Sequence, residues 1–87
     1  MPAKRKRLNF AIIQSNLSEA VEELQGLERK AAKEKLTEAE FQVGLLHAYH
    51  HLNFSWNIRH RTTEEYASLT EKQFKEWGRY PKAIERL

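Results

Sequence analysis

The chain has 87 residues, with 15 Lys and Arg, 12 acidic residues that are all Glu, and no Cys. That length holds one domain, and the missing cysteines exclude a disulfide framework, a thiolate metal site and a thiol nucleophile, which points to a cytoplasmic setting. The net charge of +3 is unevenly placed: Lys4, Arg5, Lys6 and Arg7 carry four positive charges and leave residues 8–87 at −1, so the basic character belongs to an N-terminal arm and not to a face of the body.

After the arm (1–7), one helical domain is expected over 8–87. The first helix runs from about Leu17, or already from Leu8, to about Lys35. Phe10, Ile13, Leu17, Ala20, Leu24, Leu27 and Ala31 step by threes and fours, the seam of a helical hairpin or a short coiled coil. Asn16 offers a cap within this stretch, with Glu19 three residues on. The β-formers of "LNFAIIQ" leave a strand as the alternative for residues 8–14.

"LTEAEF" then places Thr37 as N-cap and Glu40 at the third helical position, a reciprocal capping box. The helix it opens runs from Glu38 to about Arg59. Phe41, Leu45, Ala48, Tyr49, Leu52 and Trp56 form a broad apolar stripe along it. Val43, Phe54 and Ile58 form a second, narrower one, flanked by His47 and His51. A helix apolar on two sides is either central in its own bundle or shared between subunits. Only one other long helix exists, so the second stripe is expected at an interface.

Thr62 with Glu65, and Thr70 with Gln73, repeat the capping grammar and open short helices at Thr63–Leu69 and Glu71–Trp77. Gly78 suits a left-handed helix end, and Pro81 the first turn of a last short helix. No stretch approaches the roughly 20 apolar residues of a membrane span.

The fold expected is all-α: an antiparallel two-helix hairpin crossed by two or three short C-terminal helices, a small bundle completed by self-association. Its expected core is Leu17, Val21, Leu24, Leu27, Phe41, Leu45, Tyr49, Leu52 and Trp56, closed by Leu69, Phe74 and Trp77. A chain this short buries only roughly 60% of its unfolded surface, so a partner subunit is a natural source of further burial.

All four histidines fall within residues 47–60. His47 and His51 are four apart, so a helix presents both on one side at a spacing that can hold a metal ion. Glu40 lies two turns away, about 10 Å at 1.5 Å per residue, too far for one ion on a straight helix, and the capping box claims it. The two histidines are therefore candidate ligands without a third, and no cofactor is expected.

Glycine-rich phosphate loops, nucleophile elbows and metalloprotease signatures are all missing. The expected function is a non-enzymatic self-association module, a homodimer meeting through Val43, His47, His51, Phe54 and Ile58. The alternative is nucleic-acid binding through Lys4, Arg5, Lys6, Arg7, Arg59 and Arg61, which would be salt-sensitive and independent of sequence. A second alternative is a metal-binding protein or enzyme using His47 and His51.

Overall fold

Each helix begins where a side chain reaches back to satisfy backbone N–H groups that have no partner within the helix. A computed structural model describes residues 7–86, and in it α1 spans Phe10–Ala32, α2 Glu38–Asn57, α3 Thr63–Ala67 and α4 Glu71–Trp77, followed by a 3₁₀ turn at Lys82–Glu85. Thr37, Thr62 and Thr70 each accept from the third helical backbone N–H, at 3.1 Å. Glu40, Glu65 and Gln73 each return the bond to the cap's own N–H. All three expected capping boxes are present.

The cap of α1 is Asn9, whose Oδ1 accepts from Ile12 N. Asn16 instead lies buried within the helix and donates from Nδ2 to Ile12 O at 2.8 Å. Residues 10–14 are therefore helical, and among the described residues there is no strand. Gly78 also departs from expectation: its φ of −85° is right-handed. Glycine serves there by close approach, since a Cβ would stand 3.1 Å from Phe74 O.

α1 and α2 form an antiparallel hairpin. Asn9 N donates to Arg59 O at 2.7 Å at the open end, Asn16 meets His51, Glu23 meets His47, and Lys30 pairs with Glu40 beside the turn. Small side chains line the seam, which lets the two backbones approach. Ala20 and Ala48 are 1% and 2% exposed, and a Cβ on Gly44 would stand only 2.7 Å from Leu27 Cδ2.

The hairpin has two flanks. On one, at the open end, Ile12, Phe54, Ile58 and Trp77 form the buried core, with Tyr66 and Leu69 packed against it from α3 and the residues that follow. Side-chain amides fasten this end. Asn53 Nδ2 donates to Gly78 O, and Asn57 Nδ2 to Trp77 O and Arg79 O, at 2.6–2.9 Å. Those bonds occupy carbonyls that the short α4 would otherwise leave unpaired.

The other flank overturns the expected core. Leu17, Val21, Leu24, Phe41, Leu45, Tyr49 and Leu52 are 41–50% exposed. The physical reason is the choice of seam. The helices meet through the small residues beside the large stripe, and among the described residues only Leu8 and the segment 80–84 reach the stripe, at its open end. Conversely Phe54 and Ile58, expected at an interface, are 4% and 0% exposed within a single copy. No helix among the described residues is long and apolar enough to cross a membrane.

Candidate interaction face and histidine pair

At 3.6 residues per turn, Phe10, Ile13, Leu17, Val21 and Leu24 fall on one side of α1, and Phe41, Leu45, Tyr49, Leu52 and Trp56 on one side of α2. In an antiparallel pair these two sides become one face. Ile13 from α1 and Tyr49, Leu52 and Trp56 from α2 line the same hollow of about 500 Å³, which Tyr80, Pro81 and Ile84 close from the 3₁₀ segment. A fully buried aromatic covers roughly 150–250 Å², so seven side chains near half-exposure leave on the order of 500–600 Å² of apolar surface. That equals the largest patch of a typical monomer, a few hundred Å² and often functional.

The opposite flank carries polar side chains along the seam. His47 Nδ1 stands 3.0 Å from Glu23 Oε2, and His51 Nδ1 2.8 Å from Asn16 Oδ1. Their Nε2 atoms face each other at 3.1 Å. Tyr66 Oη donates to the same Asn16 Oδ1 at 3.4 Å, so α3 joins this network. Burial, and then the neighbouring His47, push the His51 imidazole below its ordinary range. The carboxylate beside the histidines is thus Glu23 of α1. Glu40 is held by Lys30 and its own cap.

Of the basic residues marked in the sequence, Lys4, Arg5 and Lys6 lie outside the described residues, and Arg7 is exposed. The Arg59 guanidinium lies 3.8 Å above the Trp56 ring, and Nη1 donates to Trp56 O. Arg61 pairs with Glu65 at 3.3 Å and sits 5.3 Å over Trp77. The two therefore end on different ring systems. Val43 is 66% exposed on the His47 side of α2.

Sequence reasoning missed Asn16, Asn53, Asn57 and Glu23 as tertiary partners. One signal was available: the chain's four asparagines all sit in or next to the long helices, where asparagine is a poor helix former unless its amide has a partner. No protein-family model, curated protein or solved structure matches this chain.

Proposed function

We propose that this protein is a non-enzymatic self-association module whose partner is a second copy of itself, docked through the open face of the hairpin. The observation that carries this is the continuous apolar strip of Leu17, Val21, Leu24, Phe41, Leu45, Tyr49 and Leu52, each 41–50% exposed. Two such faces together bury roughly 1,000–1,200 Å², at the threshold where specific interfaces begin. Two hairpins pressed face to face make a four-helix bundle, an arrangement in which stripes of this spacing interdigitate.

Charge favours one arrangement. Glu28 and Glu38 continue the two stripes at the turn end, and Arg59 continues the α2 stripe at the open end. A second copy laid antiparallel brings Arg59 of each chain towards Glu28 and Glu38 of the other. The interface surface differs from the one expected around Val43, Phe54 and Ile58, because the last two are already used inside the monomer.

Sedimentation equilibrium over a hundredfold range of concentration tests this. The expected result is a reversible monomer–dimer mass, reduced to monomer in Leu24→Glu and Leu45→Glu with helical content retained. A mass that stays monomeric at every concentration overturns the proposal.

A further inference from the structure

The hydrogen bonds around His47 and His51 fix which ring nitrogens carry protons. Asn16 Nδ2 donates to Ile12 O, so its Oδ1 is the acceptor facing His51, and His51 Nδ1 must hold the proton between them. His47 Nδ1 faces the Glu23 carboxylate and must likewise be the donor. In neutral imidazoles the other nitrogen of each ring is then a bare lone pair. Those two lone pairs, on the Nε2 atoms, confront each other at 3.1 Å. Left alone the contact is repulsive, and one cation placed between them makes it attractive.

We propose that His47 and His51 are a two-nitrogen chelate for a divalent transition-metal ion of the zinc, nickel or copper class. The spacing fits. Two nitrogens bound to one ion at 2.0–2.1 Å stand about 3.3 Å apart at a tetrahedral angle and about 2.9 Å apart at a right angle, and 3.1 Å lies between. The surroundings fit as well. Metal-binding histidines characteristically donate the other ring N–H to a carboxylate or carbonyl, which fixes the tautomer and raises the basicity of the ligand. Glu23 and Asn16 occupy those two positions, and both come from α1 while the ligands come from α2.

Imidazole suits ions of this class and not magnesium or calcium. Ion access is open, since the His47 side chain is 50% exposed. Among the described residues no set of three His, Cys, Asp or Glu groups converges on one point, so water fills the remaining positions. The site lies on the flank opposite the apolar face and does not depend on self-association.

The test titrates Zn²⁺ and Ni²⁺ into the tag-free full chain at pH 7.5 by calorimetry, with NMR of the imidazole nitrogens before and after. The expected result is one ion per chain, with His47 and His51 both in the Nδ1–H form beforehand. Affinity should fall at least tenfold in His47→Ala and about 10–100-fold in Glu23→Ala, the usual effect of losing such an outer partner. His60→Ala, which alters an exposed histidine elsewhere, should bind as the parent does. Saturating metal should also raise Tm in the parent and leave His47→Ala unmoved, because the bound ion stabilises only the folded chain. No stoichiometric uptake, uptake that survives His47→Ala, or either histidine in the Nε2–H form overturns the proposal.

Discussion

On one flank of the hairpin Phe54 and Ile58 are 4% and 0% exposed, while on the other Leu45 and Leu52 of the same helix are 42% and 45% exposed. All four are large and apolar, and all four sit at helical spacing with apolar neighbours. They differ in what the rest of the chain provides. α3, α4 and the links between them supply Tyr66, Leu69 and Trp77 over the first pair. Of the second pair, Leu52 shares a hollow at the open end with Leu8, Tyr80, Pro81 and Ile84, whereas Leu45 lies outside it. Whether a side chain becomes core is settled by which other elements reach it, and the described segments after α2, as far as Trp77, pack over one flank.

The largest effect sharpens that contrast. Phe54→Ala should cost about 3–5 kcal/mol, the range for emptying a buried aromatic site, which approaches the whole stability of a small domain. Leu45→Ala, measured by urea denaturation in dilute solution where copies are apart, should cost under about 1 kcal/mol, as surface substitutions do. Equal costs at the two positions would erase the distinction between the flanks. If two copies meet as proposed, Leu45→Ala should become visibly destabilising at high concentration, because its partner surface would then be another chain and Tm would depend on concentration.

Asn16→Ala comes next. Asn16 is 1% exposed and its Oδ1 accepts from both His51 and Tyr66. Removing the amide strands those two half-buried donors, so the cost should lie at the lower end of the roughly 1–3 kcal/mol of a buried unpaired donor. The loss should be seen in urea denaturation and should be smaller in a Tyr66→Phe background, where one of the donors is already gone. A full loss in both backgrounds would mean that the Tyr66 hydroxyl contributes nothing through Asn16.

The helices, their order and the caps of α2, α3 and α4 were legible in the residues, because each capping box is a local arrangement of four residues and each stripe a local periodicity. The cap of α1, Asn9 in place of Asn16, was not. Thr37, Thr62 and Thr70 act where the sequence places them. The seam was not legible. Periodicity gives the apolar side of a helix but not which column of it meets the partner helix. Here Ala20, Gly44 and Ala48, beside the heavier stripe, let the backbones approach and displaced Leu17, Leu24 and Leu45 outward. For the same reason the spacing of His47 and His51 could be read, while their partners could not. Glu23 and Asn16 are 24 and 35 residues distant, and only the hairpin register brings them together.

The smallest effect concerns the turn end, where neither flank has cover and exposed polar contacts hold the helices. Lys30 beside the Glu40 carboxylate, and then the Thr37 backbone N–H, bring its pKa from 4.5 to about 2. A carboxylate lowered in the folded state contributes stability that is fully present above 4.5 and is lost as pH falls through about 2, below which folded and unfolded chains are both protonated. Glu40→Gln keeps an acceptor for the Thr37 N–H and removes only the charge. The parent should therefore melt slightly above this variant at pH 6, and the gap should shrink between pH 4.5 and 2 and close only below pH 2. Solvent and salt screen an exposed pair, so added salt should narrow the gap at pH 6 without altering the convergence. A gap that ignores pH would mean that Lys30 and Glu40 do not interact in solution, leaving the turn end to the small seam residues and the Thr37 cap.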